Sequence, residues 1–450
     1  PIHPVFKPDG TYFNPLRSVR ASLDNWENNS KARTFLANWF LNYKLADGLS
    51  YRAEYGINSI NNNDASYLSS IIDSNGEARA FSSAGSRNSW NFKNLLNYRN
   101  TFGKHRLDVL AGVEASKNTI KVNNIRGTGF SNSTLKTPQD AAVVESYYNE
   151  SAKTFLSILG RVNYDFDGKY LLSVTARRDG SSVFGRNKRW GLFPAVSLGY
   201  NISEEPFFDG IKETVNYLKL RASYGVSGNA EIGNYAWAST YAQANYNGAS
   251  GITLANIGDD ELGWESALQT NIGLSMQMFD GKFRLDVDVY EKLTQDLLLP
   301  YPVTVLSGLT QVTTNLGEIK NEGIEAMVGV TLVDKDDFTW DAELTYAWNT
   351  NEVIDIGDNA EGVDIPGFGT TSIYIGKPIG IQTIPIWVGV EPATGQDIYQ
   401  ALDGRHLTVA EAASEFGSLN NFLNANRVPF GNPYPAVSYT HLTLPTNREV

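Results

Sequence analysis

The densest basic patch of the chain is the stretch ARRDGSSVFGRNKRWGLFP, which runs from Ala176 to Pro194. Glycine, serine and clustered cations are residue types that bind phosphate in nucleotides and nucleic acids. The whole chain argues against that ligand, because 37 Lys and Arg stand against 49 Asp and Glu, a formal net charge of -12. A protein whose main ligand is a polyanion is normally basic, so we expect no nucleic-acid partner.

Other patterns that support catalysis or cofactor binding are weak. The segment IGKPIG (Ile375–Gly380) has neither the upstream glycine nor the Ser/Thr of a phosphate-binding loop. The four histidines are scattered, and the absence of cysteine excludes thiol catalysis and cysteine-ligated zinc. The carboxylates of GDDELGWE (Gly258–Glu265) are interpreted as solvated loop charge rather than a glycosidase pair. The sequence therefore predicts no enzyme, no metal and no cofactor.

The elements that must position the basic patch follow an alternating pattern. In Phe155–Phe166, Leu156 and Ile158 share one face, while Ser157 and Arg161 lie on the other. Successive side chains of a strand point to opposite faces, so this segment is predicted to be a strand with one apolar and one polar side. The Asp-Gly pair that follows is a strong signal for a tight hairpin turn.

The same unit recurs along the chain and predicts about twelve strands, each about as long as a membrane-spanning strand. The predicted hairpins are Thr34–Ile57, Trp90–Ala115, Phe155–Arg177, Trp190–Gly228, Ala267–Lys292 and Gly323–Asn349. The links between hairpins are predicted to be long and polar, over residues 58–89, 116–153, 229–266 and 299–322. Short turns at one end and long links at the other are typical of outer-membrane barrels. A soluble β-sandwich has shorter strands and mixed loop lengths.

The two faces of the predicted strands agree with that interpretation. Aromatic residues lie near strand ends on the apolar side, as in the aromatic girdles of membrane barrels: Trp190, Tyr200, Tyr224, Trp340 and Trp348. The opposite face carries both signs of charge and requires water or a polar filling. The predicted fold class is all-β, a transmembrane antiparallel β-barrel.

The segment Gly160–Phe208 resembles the hallmark segment of the SusC/RagA family of TonB-dependent outer-membrane transporters. In that family a hairpin leads into R-R-D-G-S-S-x-F-G, then W-G-x-F-P, an aromatic strand and E-x-F. Further segments resemble the family in the same order: Leu220–Tyr235, Leu262–Leu298, Asn315–Val330, Trp387–Gln400 and Gly431–Pro435.

The resemblance implies a 22-stranded barrel with an N-terminal plug, in the outer membrane of Bacteroidota. It implies import of oligosaccharides or peptides driven through TonB, with a SusD-like surface lipoprotein as partner. Residues 1–436 are then expected to be a partial barrel domain, with signal peptide, TonB box and plug missing upstream and the last strands missing downstream. Residues 437–450 are expected to be a non-native tail from a sequencing artefact. The alternative is an outer-membrane or secreted β-rich binding or adhesion protein without transport.

Two groups of residues are candidates for function. Aromatic side chains in the long links are candidate substrate contacts: Trp237, Tyr241, Tyr246, Trp387 and Tyr399. The basic patch is expected to form an extracellular rim loop, in which Arg177 faces the lumen and Trp190 faces lipid. The members of that rim loop are Arg177, Arg178, Asp179, Gly180, Arg186, Lys188, Arg189 and Trp190. Its cations are expected to meet anionic outer-membrane lipid or acidic residues of neighbouring loops.

Overall fold

The computed structural model describes residues 6–12, 14–357, 363–364 and 371–429. The chain divides into two compact units, one made of Pro1–Trp264 with Pro302–Thr313 and one made of Glu265–Tyr301 with Thr314–Val450. Each unit is described separately below. The GNPYP motif and the predicted tail 437–450 lie outside the described residues.

The first unit begins with a short helix and continues into a ladder of long strands. A 3-10 turn (Pro15–Arg17) precedes helix α1 (Val19–Asn25), whose first turn is capped by the Ser18 hydroxyl accepting from the Ala21 N–H. Eight antiparallel strands follow in sequential order: β1 (Trp26–Ala46), β2 (Leu49–Leu68), β3 (Arg79–Phe102), β4 (His105–Thr128), β5 (Val143–Phe166), β6 (Tyr170–Ser181), β7 (Trp190–Asn201) and β8 (Val215–Asn229).

The turns that close these hairpins lie where the sequence predicts them. Asp167 and Gly168 have φ values of 59° and 70°, the left-handed backbone that a tight hairpin turn requires. Gly48 has φ 77°, and a Cβ there would lie 2.5 Å from the Arg99 carbonyl oxygen. Only glycine fits that position, because any side chain there would collide with the backbone of β3.

The predicted long links at 58–89 and 116–153 are wrong in part. The ladder continues through most of them, and only residues 69–78 and 129–142 are links. β3, β4 and β5 each reach 24 residues, about 80 Å at 3.3 Å per residue. Spanning a bilayer takes only about 9–11 residues, so these strands extend beyond any membrane. There polar residues occur on both faces, so the alternation that reveals strands is lost while backbone pairing continues.

The link that follows β8 contains a separate hairpin, β9 (Thr240–Tyr246) and β10 (Ala249–Asn256). The first unit also contains 3-10 turns at Pro138–Asp140, Ile202–Glu204 and Pro206–Ile211.

The second unit contains four more long antiparallel strands, β11 (Glu265–Met278), β12 (Phe283–Gln295), β15 (Glu318–Lys335) and β16 (Phe338–Asp355). Between β12 and β15 along the chain, short strands β13 (Leu298–Pro302) and β14 (Gln311–Asn315) flank a 3-10 turn at Val305–Ser307, and Pro302–Thr313 of this segment belong to the first unit. The later elements are β17 (Val363–Asp364), β18 (Thr371–Ile373), β19 (Ile381–Val390), β20 (Asp397–Gln400), β21 (His406–Thr408), α2 (Val409–Phe416), α3 (Leu419–Ala425) and β22 (Arg427–Pro429). A small core around Phe422 buries Ala401, Leu407 and Ala412.

The twelve predicted strands are confirmed, eight in the first unit and four in the second. Their apolar faces are exposed rather than buried. On β7, Leu192 is 62% and Leu198 57% exposed, and on β11 Ile272 is 55% exposed. Soluble proteins rarely expose such continuous apolar surface, so the face requires an apolar solvent such as lipid. Among the described residues, no helix is long and apolar enough to cross a membrane.

Candidate functional site

Two links of the first unit meet beside the ends of β6 and β7. We call this meeting of residues 181–190 with residues 257–264 the rim junction. The Gly185 N–H donates to the Leu262 carbonyl at 2.8 Å, and the Asn187 N–H donates to the Asp260 carbonyl at 3.1 Å. A Cβ on Gly185 would lie 2.2 Å from the Asp260 carbonyl oxygen. The two backbones therefore approach so closely that the position requires glycine.

The rim junction has an apolar core of its own. Val183, Phe184 and Leu262 are all 0% exposed. The Trp264 ring lies 4.8 Å from that of Phe184, and its indole N–H donates to the Arg189 carbonyl at 3.1 Å. Our sequence interpretation missed this core. Its signal was present in the Val-Phe pair inside a polar loop and in the Leu-Gly-Trp segment that fills the same space.

The structure places the cations of the basic patch in different surroundings. Arg178 lies over the Trp190 ring, with its guanidinium carbon 5.2 Å from the centroid, a cation–π contact. Gly180 is the partner of Trp190 in the ladder, and a Cβ there would lie 2.9 Å from the ring. Trp190 is 42% exposed and lies on the same face of β7 as Leu192 and Leu198, which is the apolar face.

Arg177 belongs to the polar face. Its guanidinium donates to Glu114 at 2.9 Å, to Asp179 at 2.7 Å and to the Ser157 hydroxyl at 2.8 Å. Lys93 adds a second cation 3.6 Å from Glu114. These groups line a cavity of about 540 Å³, a volume in the usual range for ligand sites. Its wall also includes Lys153, Phe155, Glu231 and Trp264.

The remaining cations surround Trp237. The guanidinium carbons of Arg186 and Arg189 each lie 5.7 Å from the centroid of its ring, and the indole N–H donates to the Ser182 carbonyl at 3.0 Å. Arg186 also lies 3.8 Å from an Asp260 carboxylate oxygen. Lys188 is exposed. The carboxylates of Gly258–Glu265, interpreted from the sequence as solvated charge, thus include one partner of the basic patch.

The other loop aromatics have different surroundings. Tyr241 and Tyr246 of β9 are 66% and 87% exposed. In the second unit, the Trp387 indole N–H donates to Asp397 at 3.0 Å. Tyr399, opposite Trp387 in the ladder, packs against the small core around Phe422. Substrate contact by any of these five aromatics, Trp237 included, stays a prediction.

The link between β7 and β8 carries a second charged cluster, centred on the E-x-F segment. The Glu205 carboxylate accepts from the Tyr170 hydroxyl at 2.6 Å, from the Tyr200 hydroxyl at 3.3 Å and from Lys169 at 3.2 Å. The rings of Tyr170 and Tyr200 stack at 5.2 Å. The hydrogen bond from Tyr170, helped by Lys169, lowers the pKa of Glu205 against the opposing effect of burial.

Comparison with known proteins identifies the family. The model of the family described as TonB dependent receptor-like, beta-barrel matches residues 3–412. The chain belongs to this family of TonB-dependent receptors. TonB-dependent receptor P39 of Formosa agariphila is 31% identical over 377 residues, which cover 80% of this chain and 36% of P39. TonB-dependent receptor SusC of Bacteroides thetaiotaomicron is 30% identical over 280 residues, covering 59% of this chain and 27% of SusC. The receptor therefore spans well under half the length of these relatives.

A solved structure of the RagAB peptide transporter has the same fold, with a TM-score of 0.81 at 23% identity. The match covers 95% of this chain and 48% of that one. With SusC among its relatives, the receptor is of the SusC/RagA type and is an outer-membrane protein. The predicted family, fold class and location are thereby confirmed. Among the residues that the structure describes, no group of three or more His, Asp or Glu is arranged to hold a metal ion.

Proposed function

We propose that the receptor takes part in active import of an oligosaccharide or a peptide across the outer membrane, driven through TonB. The observation that carries this proposal is the pairing of an exposed apolar face with a polar face that holds a charged cavity of about 540 Å³. A wall with lipid on one side and a hydrated path for polar solutes on the other needs both surfaces. RagAB, a peptide transporter, shares this fold, which supports a role in transport and leaves both substrate classes in the proposal.

The orientation follows from the turns. Short turns of outer-membrane barrels are periplasmic and longer links are extracellular. The tight turns at Gly48, Gly103 and Gly168 therefore lie on the periplasmic side in this proposal. The rim junction and the β9–β10 hairpin then lie outside the cell, where a SusD-like surface lipoprotein would meet them. The exposed cations Arg186 and Lys188 would lie near the anionic head groups of the outer leaflet.

The proposed role is binding and passage without a catalytic step. The charged groups of the cavity are engaged with one another, as in the ion pairs of Arg177 with Glu114 and Asp179. Turnover of candidate glycans or peptides by the purified complete receptor would contradict this part of the proposal.

Cellular accumulation tests the transport proposal. Cells that carry the complete receptor are supplied with a labelled oligosaccharide or peptide mixture, with and without a protonophore or a disrupted TonB. We expect accumulation inside the cells that requires the receptor, TonB and the proton gradient. Surface binding that is insensitive to the protonophore, with no accumulation, would support the binding or adhesion alternative.

A further inference from the structure

Arg178 is a cation on the apolar face of the strand ladder. Its partner on β7 is Leu192, and the next pair on the same face is Gly180 with Trp190. The exposed Arg178 side chain extends towards that pair, where its guanidinium carbon lies 5.2 Å from the centroid of the Trp190 ring. Arginine on a lipid-facing strand is costly at the centre of a bilayer and tolerated near its surfaces, so the depth of Arg178 decides whether the charge fits.

The aromatic residues on this face locate Arg178 in the membrane. The apolar face of the 12-residue strand β7 runs from Trp190 to Tyr200. At about 3.3 Å per residue this span is roughly 33 Å long, and a strand tilted by about 40° then crosses about 25 Å of membrane. That value is the height of the apolar band of an outer-membrane barrel, so the two rings mark the two interfaces. Arg178 therefore lies at the interface that Trp190 marks.

The positive charge of Arg178 differs from the other arginines of the basic patch in its surroundings. Arg177 pairs with Glu114, and Arg186 lies beside Asp260. Among the described residues, no carboxylate lies within ion-pair distance of Arg178. The apolar face of β5, β6 and β7 holds no Asp or Glu between the two interfaces. The guanidinium is therefore available to an anion from outside the chain.

The position of Arg178 in the sheet leaves it open to lipid. Strand β6 has β5 on one side and β7 on the other, and β7 is paired in turn with β8. A further strand joins a sheet only at a free edge, so additional strands of a longer receptor would not cover this position. The two cross-strand neighbours of Arg178 are Ile158 and Leu192, which are 52% and 62% exposed. An apolar surface of this kind requires lipid around the arginine.

The anion that a membrane offers at its interface is a lipid phosphate. A guanidinium binds phosphate through two parallel N–H···O bonds, and it can stack on an aromatic ring at the same time. Gly180 provides the space for this stacking, because a Cβ there would lie 2.9 Å from the Trp190 ring. Trp190 thus holds one face of the guanidinium, while the N–H groups along its edge remain free to donate.

We propose that Arg178, held by Trp190, binds a phosphate of an outer-leaflet lipid. This site goes beyond the proposed transport and rests only on the orientation given with it, in which the Trp190 ends of β6 and β7 are extracellular. A failure of the transport proposal would leave the site intact, since the experiment below measures lipid binding and not import.

Lipid binding to the purified complete receptor tests the site. The receptor is freed of lipid in a neutral detergent and titrated with lipid A, a phosphorylated glycolipid, while native mass spectrometry counts the bound molecules. We expect R178M to weaken the tightest binding step at least about tenfold, the usual effect of losing a charge-assisted contact. W190L keeps the face apolar but removes the cation–π contact, and it should weaken this step about twofold to fivefold.

The matched control is R106M, which removes an arginine from the polar face. The Arg106 side chain is 67% exposed and lies 3.3 Å from Asp165, so its loss should change the affinity for lipid A less than about twofold. Equal affinity of R178M and the wild type, or an equal loss in R106M, would overturn the inference. Unchanged heat-modifiable gel migration of each variant shows that its barrel is folded.

Further arms identify the source of the phosphate. Lipid A without its phosphates should bind equally weakly to the wild type and to R178M. Displacement of lipid A by an equal concentration of inorganic phosphate would indicate a site for free anions. Preference of the wild type for phosphatidylglycerol over lipid A would place Arg178 at the inner leaflet. Either of these last two results would overturn the inference.

Discussion

Replacement of Phe184 by alanine is expected to open the rim junction without unfolding the barrel. The Phe184 side chain is 0% exposed and packs on Trp264, with ring centroids 4.8 Å apart. A buried aromatic ring removes about 150–250 Å² from water, which corresponds to about 4–6 kcal/mol at 25 cal/mol per Å². That value overlaps the range of about 3–5 kcal/mol measured for such truncations.

Amide hydrogen exchange measures this loss where it occurs. The Gly185 and Asn187 N–H groups are the two backbone donors that join the links, so their exchange reports opening of the rim junction. In the complete receptor, F184A should accelerate their exchange by a factor of about 10² or more, up to the limit that the stability of the junction itself sets. A control variant, L306A, changes a side chain that is 93% exposed in the 3-10 turn Val305–Ser307, and it should leave both amides unchanged. Normal protection of both amides in F184A would refute the assignment of an apolar core to this site.

Three further perturbations test other parts of the structure. Gly185→Ala should force the two links of the rim junction apart, because the new Cβ would lie 2.2 Å from the Asp260 carbonyl oxygen. Proteolysis of residues 181–190 in the folded receptor should therefore be faster than in the wild type. Arg177→Met should lower the free energy of unfolding, because Glu114 and Asp179 lose their shared cation. We expect a loss of about 1–2 kcal/mol in a denaturant titration, a value between those of exposed and buried ion pairs. Glu205→Gln should flatten the acid dependence of stability: the pKa of Glu205 is lowered by folding, so its contribution is present above the unfolded pKa and is lost as pH falls through the folded pKa. Unfolding midpoints from pH 7 to pH 3 would measure this, and the same slope in both proteins would contradict it.

The membrane-spanning part of the fold was predictable because lipid imposes a strict rule on sequence. Inside a bilayer, side chains that face lipid must be apolar, so strands such as β6 and β7 alternate visibly. Beyond the bilayer, water contacts both faces and the rule no longer applies. The extensions of β2 to β5 therefore carry polar residues on both sides, and the sequence predicted links there. Turn glycines such as Gly48 and Gly168 were informative throughout, because glycine adopts their positive φ far more readily than other residues do.

The rim junction was not predictable in the same way. It joins Gly185 to Leu262 and Arg186 to Asp260, residues more than 70 positions apart with no shared periodicity. The sequence predicted that the basic loop would meet anionic lipid or acidic residues of neighbouring loops, and it predicted the acidic loop to be solvated, but it did not show that these two loops meet. Whether two distant loops meet depends on the order in which their strands pair in the sheet, and local sequence patterns do not give that order.

This division of the basic patch changes where specificity should be sought. Arg177 and Arg178 face opposite sides of one strand, and Arg186 and Arg189 hold Trp237 against the rim junction. The residues that most resemble the SusC/RagA hallmark thus have structural roles: a buried phenylalanine, a glycine at a backbone contact and an arginine in an ion-pair network. An architecture shared by receptors with different substrates cannot by itself select among them. Selection among substrates must then come from other residues that this architecture positions.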